Sequence, residues 1–103
     1  MDTQKIINEV NRGLAVHDRG PFTTNQTAEN YHRTDLRGEL EGRAVRIEVS
    51  VEDAPGQYQY SIQLFDEETG EPFGRGNGGP TLNDAASYYQ WNGALLDLQS
   101  KTD

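Results

Sequence analysis

The residues best placed to do chemistry lie in one glycine-rich run, Gly74-Arg75-Gly76-Asn77-Gly78-Gly79, followed by Pro80-Thr81 and a helical pattern. Glycines ahead of a helix are a common phosphate-binding device, because the first N–H groups of a helix have no internal partner. Gly74 and Gly79 have the spacing of the two glycines of a P-loop, but Pro80 stands where that loop needs its lysine. Gly74, Gly76 and Gly79 also fit the bare G-x-G-x-x-G spacing, yet Pro72 precedes them and no second βα unit follows. The run therefore reads as a tight or flexible turn that uses positive φ angles. Arg75 at its tip suits a partner's carboxylate or phosphate. A small-ligand or weak enzymatic site over Gly74 to Thr81 is the alternative this run keeps open.

Other catalytic constellations do not assemble. His17 and His32 lie far apart, with no further ligands at metal-binding spacing. The chain has no cysteine, which excludes disulfides, thiolate metal sites and a cysteine nucleophile together. Asp66-Glu67-Glu68-Thr69-Gly70-Glu71 is dense in carboxylates but lacks the alternation and distal glutamate of a calcium loop, so it reads as a solvated turn. Ser50, Ser61, Ser87 and Ser100 have no nucleophile-elbow context. The expectation is a protein that is not an enzyme and uses neither cofactor nor metal.

Charge says more about partners than about reactions. The net charge is −8, and between Asp35 and Glu71 ten acids face three bases, Arg37, Arg43 and Arg46. Phosphate backbones would be repelled there, so direct nucleic-acid binding is not expected. Two docking readings follow. In the first, Tyr88 and Trp91 on the last helix, flanked by the glycine run, anchor a protein partner, the equal alternative being that both rings complete a thin core. In the second, the acids imitate nucleic acid: carboxylates on alternate strand residues are about 6.8 Å apart, the scale of successive phosphates. Glu39 and Glu41 have that spacing, with Glu48, Glu52, Asp53, Asp66, Glu67, Glu68 and Glu71 around them. This is the kind of surface that acidic phage or mobile-element inhibitors of nucleic-acid-handling enzymes present. A homodimer is a further option.

The elements that must position these residues form one small α+β domain over residues 1–103, 33% apolar and lean in core. Ile6, Val10 and Leu14 recur at helical spacing and predict a helix over about Thr3 to Leu14, capped by Asp2 or Thr3. His17 to His32 is weakly patterned and reads as a long loop, with a short helix an option around Thr27 to Tyr31. Three strands follow: Thr34 to Leu40, Arg43 to Val51 and Gln57 to Phe65. In the second, Val45, Ile47, Val49 and Val51 share one face; in the third, Tyr58, Tyr60, Ile62 and Leu64 do. The short turns between them predict a three-stranded antiparallel meander, four-stranded if Glu71-Pro72-Phe73 returns as an edge strand. Thr81 caps a C-terminal helix whose pattern is interrupted at Asn92-Gly93. No apolar run is long enough to span a membrane and no basic-then-apolar leader is present, so a soluble, cytoplasmic protein is the default.

The order helix, three-strand meander, helix resembles that of the double-stranded-RNA-binding domain, including a glycine-rich segment leading into a last helix with Asp84-Ala85-Ala86. That family grips phosphates with a lysine cluster at this helix start. Here the matching positions, Pro80-Thr81-Leu82-Asn83-Asp84, carry no base, so the resemblance implies a fold and not RNA binding.

Overall fold

The computed structural model describes residues 2–76 and 78–100. Helix α1 (Thr3–Val16) is followed by strands β1 (Phe22–Glu29), β2 (Arg33–Leu40), β3 (Arg43–Val51), β4 (Tyr60–Asp66) and β5 (Pro72–Phe73), then helices α2 (Leu82–Tyr88) and α3 (Trp91–Ser100). The strands form one antiparallel sheet in the order β1-β2-β3-β4-β5. The class is α+β as expected, with more strands than the meander alone.

Local chemistry explains the elements that the sequence pattern identifies. Asp2 caps α1, its side chain accepting from the backbone N–H groups of Gln4 and Lys5. Ile6, Val10 and Leu14 are fully buried, as their spacing requires. Val45, Ile47 and Val49 alternate with half-exposed Arg46 and Glu48 along β3. One cluster of buried apolar residues from the helices and the inner sheet face forms the core. Helix α1 packs against β1, α2 against β4, and α3 against β5.

Four expectations need correction. The stretch read as a loop with an optional helix contains β1, an eight-residue edge strand. Phe22 is its only buried residue, and its register shifts between Thr24 and Gln26. A strand exposed on both sides, with a bulge, carries no period-two signal. Strand β4 begins at Tyr60, not Gln57, because the Glu52 and Gln59 N–H groups bond within the preceding loop, to Gln59 and Gly56 carbonyls. Tyr58 therefore sits in that loop, 54% exposed, and not on the inner face.

The C-terminal helix breaks at Tyr89-Gln90, leaving Asn92 and Gly93 in the first turn of α3. Tyr89 takes extended backbone angles there. Its hydroxyl donates to the Phe73 carbonyl and accepts from the Leu64 N–H, while the Gln90 N–H donates to the Arg75 carbonyl. These tertiary anchors outweigh the helical pattern, and the offset they introduce leaves Leu96 exposed. The fourth correction is Trp91, whose indole is fully buried instead of lining an interface.

Candidate protein-interaction site

The ten acids do not form one continuous surface. On the open face of the sheet, Asp35 lies directly across from Glu48, a repulsive pairing. Arginines relieve it. Arg33 Nε is 3.0 Å from Asp35 Oδ1, and Arg33 Nη1 is 3.4 Å from Glu48 Oε1. Arg46 Nη2 is 2.9 Å from Glu48 Oε2, with its guanidinium 4.5 Å from the centre of the Phe65 ring. Arg37 Nη1 is 3.4 Å from Glu67 Oε1. The middle of this face is charge-paired, so Glu48 and Glu67 are not free to imitate phosphates.

The remaining acids separate along the strands. Glu41 pairs with Arg19 at 2.8 Å and lines a concavity of about 420 Å³ with Asp66 and Glu68, beside Gly42 and Arg43. Asp66 also holds its own turn, accepting from the Glu68 N–H at 2.9 Å. Glu39 is exposed on β2 near this end. Glu52 and Asp53 belong to the opposite end, where Asp53 lies 3.8 Å from His32 Nε2. Glu71 lies on the far side of the sheet from β1, lining a concavity that Arg75 shares. Among the described residues, no three His, Asp or Glu side chains converge in a metal-binding arrangement.

A different set converges. Gln57, Tyr58, Arg75, Pro80, Tyr88 and Gln90, with two loop glycines, line a concavity of about 560 Å³. Tyr58 and Tyr88 are 54% and 59% exposed. The end of the glycine run, Gly78 and Gly79, is held closely against β4. Gly78 has φ 80° and a Cβ there would fall 2.3 Å from the Tyr60 carbonyl oxygen, so the close approach to β4 demands glycine. Gly79 and Tyr60 exchange both backbone hydrogen bonds at 2.9 Å. Thr81 Oγ1 accepts from the Asp84 N–H at 3.1 Å and caps α2. The Gly79 and Asp84 amides, which a phosphate-binding loop would leave open, are thus committed within the fold.

Arg75 is held through its main chain by Gln90, while its guanidinium has no ion pair or hydrogen bond among the described residues. Every other arginine has a polar partner: Arg12, Arg19, Arg33, Arg37 and Arg46 bind acids, and Arg43 reaches the Gln99 carbonyl. Among the described residues, the groove lining holds no carboxylate, histidine or cysteine.

Trp91 belongs to the core and not to this groove. Its indole N–H donates to the Ala86 carbonyl at 2.9 Å, and its ring meets that of Tyr89 at 4.5 Å. Burial pushes the Tyr89 phenol up to about 12, against the opposing effect of the Leu64 N–H. Of the residues singled out in the sequence, the fold brings Arg75 and Tyr88 together and sends Trp91 to the core. Tyr58 and Gln90 join the groove although the sequence pattern does not single them out; the Pro55-Gly56 turn just ahead of Tyr58 is the signal that the ladder has not yet begun. Comparison with protein-family models, with curated proteins and with solved structures finds no match.

Proposed function

We propose that this chain is a cytoplasmic, non-enzymatic protein-interaction module that receives an extended, carboxylate-bearing segment of a partner in the Tyr58–Arg75–Tyr88 groove. The observation that carries the reading is an unpartnered arginine in one groove with two half-exposed tyrosines. A guanidinium fork binds a carboxylate in a bidentate, planar geometry. Tyrosine supplies contact area at low cost in side-chain entropy, and rings lining a groove favour extended or proline-containing segments. One charge-assisted hydrogen-bonded contact contributes about 1.5–3 kcal/mol, so with two ring contacts the binding belongs in the weak, reversible range.

The test is selection from a random peptide display library on the wild-type chain and on the Tyr58→Ala/Arg75→Glu/Tyr88→Ala variant. Enrichment of acid-bearing sequences on the wild type alone supports the reading. Enrichment of the same sequences on both proteins, or of sequences without acids, removes it.

A second reading keeps the acidic inhibitor of a nucleic-acid-handling enzyme, favoured by the convergence of Glu41, Asp66 and Glu68 on one concavity. Its test is salt-sensitive binding to such an enzyme that Glu68→Lys weakens. Reversal of Glu48 is a poor probe, since that carboxylate is held by two arginines.

A further inference from the structure

Two Asn–Gly steps occur in the chain, Asn77-Gly78 and Asn92-Gly93. Asparagine is a labile residue. It is most labile before glycine, which has no side chain to hinder attack of its backbone nitrogen on the asparagine amide carbon. Asn92 and Gly93 are exposed in the first turn of α3. A Cβ on Gly93 would meet nothing within 4 Å beyond its own helix, so there is room for a ring to close. The Gly93 N–H precedes the first bond of the helix, which runs from the Ala94 N–H to the Gln90 carbonyl at 3.0 Å. Donors of a first turn have no partner inside the helix.

The asparagine amide is gripped by a cation. Arg19 donates to Asn92 Oδ1 through Nε at 3.0 Å and through Nη2 at 2.8 Å. The Arg19 side chain is only 18% exposed, and its Nη1 lies 2.8 Å from Glu41 Oε1, which fixes the guanidinium across from α3. Two charge-assisted donors on one amide oxygen draw electron density from Cγ. They also stabilise the negative charge that this oxygen gains when a nucleophile adds to the carbon.

We propose that Asn92 is a self-modification site, at which the Gly93 nitrogen displaces ammonia from the Asn92 side chain with Arg19 stabilising the oxyanion. The Gly93 nitrogen gives its proton to water and bonds to Asn92 Cγ. The tetrahedral centre collapses and the side-chain nitrogen, taking a proton from water, leaves as ammonia. Water then opens the five-membered imide, breaking one of its two C–N bonds to give aspartate or isoaspartate. The sum is amide plus water to carboxylate plus ammonium, with no redox change. Helical angles hold the Gly93 nitrogen off Cγ, so closure waits for the first turn to open, and helix ends open most readily. The aspartate product suits the site better than the amide does. No acid occupies the first turn of α3, where a negative charge is favoured, and the new carboxylate faces Arg19. The inference is independent of the groove, whose lining does not include Asn92.

The test is incubation of the chain at neutral pH, with peptide mapping by mass spectrometry to follow conversion at each asparagine. Asn77 serves as the internal reference. The expected result is conversion at Asn92 in the wild type that Arg19→Gln slows, while Asn77 keeps its rate. Loss of an oxyanion donor slows enzymes by about 10²–10³-fold, so roughly tenfold is expected at this partly hydrated site. Arg19→Lys, which keeps the charge but not the fork, decides the matter if Arg19→Gln fails to fold by circular dichroism. Asn92→Asp should raise the urea midpoint. An Asn92 that stays unconverted overturns the inference, as does conversion that is as fast or faster in the folded Arg19 variant, or an Asn92→Asp chain with a lower midpoint than the wild type.

Discussion

Replacing Trp91 separates the two roles an aromatic residue can have near a docking surface. Its side chain is fully buried, donates to the Ala86 carbonyl and packs on Tyr89. Removal to alanine deletes the largest side chain of the core and leaves a buried carbonyl without its donor. Tryptophan-to-alanine changes in cores cost about 3–5 kcal/mol. Small domains have about 5–15 kcal/mol in total, and this core is lean. With a urea slope of about 1–3 kcal/mol/M, the midpoint should fall by about 2 M, or the variant should not fold at all. Far-UV circular dichroism against urea reads this without the fluorophore. Trp91→Phe, which keeps ring area but loses the N–H, should cost less, about 1–2 kcal/mol. Tyr88→Ala, at an exposed position, should change stability by no more than about 0.5 kcal/mol. Trp91 is the only tryptophan, so wild-type emission reports this site alone and should be blue-shifted and shielded from acrylamide. A Trp91→Ala variant with the wild-type midpoint, or a water-exposed emission spectrum, would refute the reasoning.

Other outcomes follow from the same packing. The Tyr89 phenol is near 10 in the unfolded chain and about 12 when folded, so its contribution is complete below pH 10 and is lost as pH rises towards 12; alkaline urea titration should show a loss of about 2–3 kcal/mol across that window, reduced in Tyr89→Phe. Gly13→Ala should destabilise the chain despite a gain in helix propensity of up to about 1 kcal/mol. Its Cβ would fall 2.5 Å from the Ala86 carbonyl oxygen, and overpacking costs about 1–3 kcal/mol; thermal melts decide the sign. Glu48→Lys should cost about 1–2 kcal/mol because it turns a carboxylate held by Arg33 and Arg46 into a third cation, whereas exposed Glu68→Lys should stay within about 0.5 kcal/mol in the same chemical denaturation assay.

Legibility in the sequence tracked burial. Strand β3 was readable because buried Val45, Ile47 and Val49 alternate with partly exposed Arg46 and Glu48. Strand β1 was not, because a nearly bare edge strand has no buried set to alternate. Counting charges between Asp35 and Glu71 overstated the acidity of the surface. Arg33 and Arg19 lie outside that span in sequence but bind Asp35, Glu48 and Glu41 across strands and loops. Tyr88 and Trp91 read as one docking pair because the bend at Tyr89 is set by Phe73, Leu64 and Arg75, all distant in sequence. That bend buries Trp91 and leaves Tyr88 beside Arg75. The groove itself depends on Tyr58 leaving the strand, which only the loop hydrogen bonds reveal.

The most direct test of the groove is an amide chemical-shift titration of the ¹⁵N-labelled chain with the acid-bearing peptide that selection enriches most. The account predicts saturable shifts centred on Tyr58, Arg75, Tyr88 and Gln90 that vanish in Arg75→Glu. Shifts centred on Asp66 and Glu68, or shifts at the groove that Arg75→Glu leaves unchanged, would contradict it.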